Sequence, residues 1–213
     1  MTPRLRSANW SNTLLKLGVA VPFIYFGIPL VAAPLYPGYS FIRNTASDLG
    51  SDQALHPTPV NVAIITLGIV MLLAAYGLLR GMRKAGINTL LSVVTAVSVA
   101  SAGLGTLLSG IFPSPDPRHG GGALGAGLFL LPFIVGLSLW RTLPSRTFRV
   151  GFLGLALLFV AMVPIMSGAT SIDTVASAGL LQRILALTAF GPIGLGAYAL
   201  LRLSRSEPSR SAG

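Results

Sequence analysis

The stretch VNVAIITLGIVMLLAAYGLLRGMRKAGINTLLSVVTAVSVASAGLGTLLSGIF, from Val60 to Phe112, decides how the whole chain folds. Two long apolar runs flank one basic knot, Arg80-Gly81-Met82-Arg83-Lys84. An α-helix needs about 20 apolar residues to cross the hydrocarbon core of a bilayer. Each run meets that length, and the knot is short enough only for a tight connection. The segment reads as two membrane-spanning helices joined at one membrane face. The same alternation continues in both directions, placing spans near 14–36, 60–79, 87–112, 120–140, 150–167 and 180–201. The expected fold is all-α: a polytopic membrane protein, a bundle of six transmembrane helices in one domain over residues 1–203. A Ser/Arg-rich cytoplasmic tail, 204–213, is expected to be disordered.

Composition agrees. Of 213 residues, 53% are hydrophobic and 9% charged, with a mean hydropathy of +0.77. A soluble domain carries about a quarter of its residues charged, so lipid must be the solvent for most of this chain. A net charge of +10 would suggest nucleic acid in a soluble protein. Here the basic residues fall in short clusters between apolar runs, and no nucleic-acid partner is expected. Twelve of the fifteen lie on one side of the six spans, leaving Arg43, Arg118 and Arg183 on the other. By the positive-inside rule the richer side is cytoplasmic. The expected localisation is thus the cell membrane, with both termini cytoplasmic. Arg4, Arg6 and Lys16 before the first run imitate a signal peptide. The run is long, however, and Pro34 follows its small-residue stretch, so a retained first span is expected.

Small residues set the expected packing, since lipid gives helices no hydrophobic drive to associate. Gly121 and Gly125 of span four, with Gly103, Gly105 and Gly110 of span three, predict a close hairpin between those spans. Pro132, Pro164 and Pro192 are expected to bend spans four, five and six.

The polar chemistry collects on the outer side. Four of the five acidic residues (Asp48, Asp52, Asp116, Asp173) and both histidines, His56 and His119, belong there. In the first outer connection Ser47 or Asp48 is placed to cap a short interfacial helix. Prolines 113, 115 and 117 stiffen the second, which carries Asp116, Arg118 and His119. His119 opens span four, where the helix dipole disfavours an imidazolium. Arg183 lies about one turn inside span six. An arginine at membrane depth costs a few kcal/mol and so pairs or faces a cavity, with Asp48, Asp116 and Asp173 as its candidate partners.

These residues also carry a resemblance. The chain resembles bacterial membrane proteins grouped as domain of unknown function 998. The matching features are Asn44-Thr45-Ala46-Ser47-Asp48-Leu49-Gly50, Gly110-Ile111-Phe112-Pro113, the pair Asp116 and His119, and Gly179-Leu180-Leu181-Gln182-Arg183. The resemblance covers essentially the whole chain and implies six spans and this residue set, but no reaction; the prolines around Asp116 depart from the family's pattern.

The chemistry expected is an outward-facing site that binds or processes an amphipathic, lipid-like molecule. Asp48, Asp116 and His119 are the candidate catalytic residues, as proton-transfer groups. Asn44, Ser47, Asp173, Gln182 and Arg183 are the candidate ligand-binding residues. Two reactions suit the set: hydrolysis or transfer on a lipid headgroup, and isoprenoid cyclisation started by a protonated aspartate. The competing expectation is a non-catalytic structural or partner-binding subunit whose polar cluster locks the bundle. Catalytic zinc takes three protein ligands, mostly histidines, and the chain has two histidines and no cysteine. No metal and no cofactor are expected. Span centres without a charged residue argue against a proton-coupled transporter. The expected partners are membrane lipid and a lipid-like small-molecule ligand, with protein partners left open.

Overall fold

The computed structural model describes residues 3–206. Six helices are long and apolar enough to cross a membrane. They are α1 (Pro3–Ala32), extended by one 3₁₀ turn over Ala33–Leu35; α2 (Pro57–Lys84); α3 (Thr89–Ile111); a fourth span in two halves; α5 (Arg146–Met166); and α6 (Ala178–Ser206). The fourth consists of a 3₁₀ segment, His119–Leu130, followed by α4, Leu131–Leu139. No strand occurs among the described residues. Helix α6 runs on through Ser204–Ser206, which the sequence assigned to the tail; residues 207–213 lie outside the described residues.

Local signals explain the ends. Asn88 caps α3, its Oδ1 accepting from the N–H groups of Leu90 and Leu91 at 2.9 and 3.3 Å. At the end of α2, Ile87 N–H donates back to Met82 O at 3.0 Å and closes the last turn. Pro164 and Pro192 lie inside α5 and α6. Pro132 instead sits in the first turn of α4, where its missing N–H costs no helical bond.

The fourth span departs most from the expected helix. Gly120, Gly121 and Gly122 adopt φ of 77°, 71° and 51°, a backbone open to glycine at little cost. The winding after them is the tighter 3₁₀ form, and regular α-helix begins only at Leu131. His119 therefore does not stand at an α-helical N-terminus, and the dipole argument does not apply to it.

Close approach supplies the packing. Helix α2 lies against α1 and α3, and α6 lies against α1, α4 and α5. The core holds Leu67, Met71 and Leu78 of α2 with Ile193 and Ala197 of α6, all fully buried. Gly105 does face Gly125: a Cβ on Gly105 would lie 2.8 Å from the Gly125 Cα. Gly103 and Gly110 turn instead to α2, where Gly68 meets Leu107. Alanine at Gly68 would put its Cβ 2.6 Å from the Leu107 backbone nitrogen. We expect Gly68→Ala to cost about 1–3 kcal/mol as an overpacked contact, measured as a lowered Tm in detergent. Thr95 and Ser138 add a buried hydroxyl pair at 2.9 Å between α3 and α4.

Helix α5 is outermost, with only Phe152 and Met162 buried among its described side chains. Large apolar side chains remain on the flanks, including Phe23 at 73% and Val31 at 77% exposure. In water such a surface would aggregate; in a bilayer it meets lipid tails.

Candidate functional site

The site lies at the bundle end opposite the termini, where the first connection folds over the helix ends. Thr45 and Asp48 tie this connection by a reciprocal pair of bonds. Thr45 N–H donates to Asp48 Oδ2 at 2.9 Å, and Asp48 N–H donates to Thr45 Oγ1 at 3.3 Å. Thr45 Oγ1 also donates to Asp48 Oδ1 at 2.9 Å, and Asn44 Nδ2 donates to Oδ2 at 3.2 Å. The Asp48 carboxylate thus serves as an acceptor throughout, at the start of the 3₁₀ turn Ser47–Gly50.

Arg183 secures the same connection from α6. Its Nη1 donates to the carbonyl oxygens of Phe41, Asn44 and Gly179 at 3.0, 2.9 and 2.7 Å. Its Nη2 donates to Tyr39 Oη at 2.5 Å, and the guanidinium lies 4.9 Å from the centre of the Phe41 ring. Tyr39 passes the bond on, donating to Thr45 O at 2.9 Å. Burial pushes the Tyr39 phenol above its ordinary range, against the pull of Arg183, which suits a neutral hydroxyl in both bonds. Among the described residues no carboxylate pairs with Arg183; the expected Asp partner is replaced by main-chain carbonyls and aromatic faces.

One residue earlier on α6, Gln182 Oε1 accepts from Ala46 N–H at 2.6 Å. Its amide Nε2 has no partner among the described residues. Between Ala46 and Asp48, the hydroxyl of Ser47 reaches across to His119, with Oγ and Nε2 2.9 Å apart. His119 Nδ1 lies 2.9 Å from Phe112 O. A carbonyl only accepts, so Nδ1 carries the hydrogen. In the neutral ring Nε2 is then the acceptor, and the Ser47 hydroxyl donates to it. The glycines after His119 release the chain from helical geometry, so the ring faces Ser47 with its other nitrogen fixed.

This pair borders a cavity of about 320 Å³ to which all six spans contribute. Its walls are mainly apolar, with Tyr25, Phe129 and Phe190 among them. Its polar groups include Ser47, His119, Gln182, Asn61, Thr106 and Ser109. Asn61 Nδ2 donates to Gly50 O at 2.9 Å, and its Oδ1 has no partner among the described residues. Phe129 lines the cavity and is also 59% exposed, and it lies against Phe159 of α5, which lines the cavity too.

The expected residues therefore separate. Ser47, His119 and Gln182 border the cavity, while Asn44, Asp48 and Arg183 build the connection behind them. Asp116 and Asp173 do not line it. Asp173 Oδ1 accepts from Val175 and Ala176 N–H at 2.9 Å each, an exposed turn before α6. Asp116 is engaged by its neighbour Arg118, whose N–H and Nε donate to Oδ1 at 2.8 and 3.0 Å and whose Nη2 donates to Oδ2 at 2.7 Å. Those bonds pull the Asp116 carboxyl down to about 2, so at neutral pH it is a carboxylate with no proton to give. A folded-state value depressed below 3.8 stabilises the turn above about pH 4 and is lost as pH falls toward 2. Asp116→Asn is expected to flatten the pH dependence of Tm across that window and leave it unchanged above pH 5.

Asn61 and Ser109 were missed, although both carried a signal. Each is a polar side chain within a predicted apolar span, a placement that marks a cavity or a packing bond. Ser109 Oγ accepts from Gly120 N–H at 3.1 Å and holds the glycine turn beside His119.

The fold and site together define a six-span helical membrane protein with a polar-tipped cavity between its helices at one end. The chain belongs to the protein family of unknown function DUF998, whose model matches residues 19–199. No curated protein and no solved structure matches it.

Proposed function

We propose that this protein binds an amphipathic, acyl-bearing lipid-like molecule in the end cavity and hydrolyses or transfers its acyl group. The observation that carries the reading is the Ser47–His119 pair, 2.9 Å apart with the far ring nitrogen fixed by Phe112 O, at the edge of an apolar cavity. A nucleophile within hydrogen-bond reach of a base, the base oriented by a further group, is the arrangement that nucleophilic acyl transfer needs.

Ser47 Oγ attacks the ester carbonyl while His119 Nε2 takes its proton. The tetrahedral adduct collapses, the alkoxide leaves, and His119 returns the proton to it. Water or an acceptor alcohol then attacks the acyl group on Ser47 by the same route in reverse. Gln182 Nε2 is the side-chain donor available to the developing oxyanion. A carbonyl in place of a carboxylate behind the histidine fixes the ring but adds less stabilisation to the imidazolium, so turnover should be slow. Cyclisation has less support, because the Asp48 carboxylate accepts every bond it makes and neither Asp48 nor Asp116 borders the cavity. In this orientation the cavity faces the outer side of the cell membrane, following the basic residues gathered at the opposite end.

The second reading is a structural subunit, favoured by Arg183, whose bonds to Phe41 O and Asn44 O hold the first connection. The two part on one measurement, release of nitrophenolate from long-chain p-nitrophenyl esters by the protein in nanodiscs. Release, with the acyl group recovered on the Ser47 peptide by mass spectrometry, supports catalysis. Release no faster than from empty nanodiscs defeats it and leaves the structural reading.

A further inference from the structure

The opposite end of the bundle carries a groove unconnected with that cavity. It has a volume of about 950 Å³ and runs beside the end of α2. Its walls include Leu79, Val93 and Leu203, and its rim carries Arg80, Arg83 and Lys84. Arg80 is exposed and has no protein partner among the described residues. Arg83 uses Nη1 on Ile87 O at 3.1 Å and on Thr89 Oγ1, leaving the rest of its guanidinium fork for a ligand.

We propose that this groove holds an anionic phospholipid, its phosphate diester against Arg80 and Arg83 and an acyl chain along the apolar wall. The charge is complementary, and guanidinium forks match phosphate oxygens in pairs. The groove lies where the α2 span ends, the depth at which a lipid carries its phosphate. Basic pockets between membrane helices take lipid head groups in this way. Orientation alone explains a basic end but calls for no groove. Arg149, in another basic cluster at the same end, lies 6.0 Å from the Trp140 ring and outside this groove.

The test is a titration of the delipidated protein with phosphatidylglycerol in detergent, followed by native mass spectrometry. Arg80→Gln is expected to weaken binding about fivefold, the worth of one basic side chain at an anionic lipid surface. Val93→Trp, which keeps every charge but fills the wall, should weaken it at least as much. Arg146→Gln, the same charge change outside the groove, should leave it at the parent's value. Phosphatidylcholine binding as tightly as phosphatidylglycerol overturns the proposal. So does Arg146→Gln matching Arg80→Gln, which would reduce the effect to net charge. Displacement of the lipid by millimolar inorganic phosphate would make the groove a simple anion site and overturn it too. None of these results touches Ser47, so the groove and the acyl-transfer reading stand or fall separately.

Discussion

Arg183→Ala is expected to destabilise the protein by about 3 kcal/mol, since hydrogen bonds to a charged group are worth about 1.5–3 kcal/mol and their orphaned partners cost more. The substitution strips Phe41, Asn44 and Gly179 of a shared donor and leaves Tyr39 Oη without one. It also removes the cation from the Phe41 face. Water can reach some of these groups, which keeps the loss below the sum of the bonds. Arg183→Lys should recover less than half, because a single ammonium cannot span carbonyls and a phenol that the planar fork reaches together. Thermal unfolding in detergent, followed by tryptophan fluorescence, reads both variants. A parent-like Tm for Arg183→Ala would remove the clamp from this account. Where Arg183→Ala does lower Tm, hydrogen exchange should localise the loss to residues 39–50 before the bundle itself opens.

The architecture was legible because a bilayer imposes a length on each apolar run, and charge clusters mark where the runs end. Span four shows the limit of that signal. Hydropathy treats Gly120-Gly121-Gly122 as part of an apolar run, yet each glycine costs a helix about 1 kcal/mol. Three in succession favour the left-handed turn observed, and that is what sets His119 opposite Ser47. The carboxylates misled for a different reason. Asp116 and Asp173 bond to N–H groups two or three residues onward, a local habit of aspartate in turns that spacing alone could have suggested. The depth of Arg183 correctly required partners. Its carbonyl partners on the first connection lie 139 and 142 positions away, and no residue type in the sequence marks them. Asn61 and Ser109 were visible as polar side chains in apolar runs, but their convergence on one cavity depends on how α2 and α3 are turned.

Ser47→Ala is expected to abolish labelling of the protein by a long-chain fluorophosphonate, because the probe loses fluoride only to an attacking oxygen that becomes bonded to phosphorus. His119→Ala should slow labelling by about 10²–10⁴, the usual contribution of a positioned general base. Both variants should stay folded. Each loses the hydrogen bond between Ser47 and His119, worth about 1 kcal/mol, and His119→Ala also frees Phe112 O. That separation of labelling from stability is what a structural role for the pair would not produce. If both variants lost several kcal/mol and the parent was never labelled, the pair would be a tie between two connections and nothing more. Asp48→Asn sharpens the assignment. Its amide accepts at one end only, so the Thr45 hydroxyl must reverse its bond to the other end and the turn carrying Ser47 loosens. Labelling should fall no more than about tenfold, as for a positioning residue that acts through another. A complete loss in a folded Asp48→Asn protein would mean that the carboxylate takes part in the chemistry itself, and the serine mechanism would have to give way.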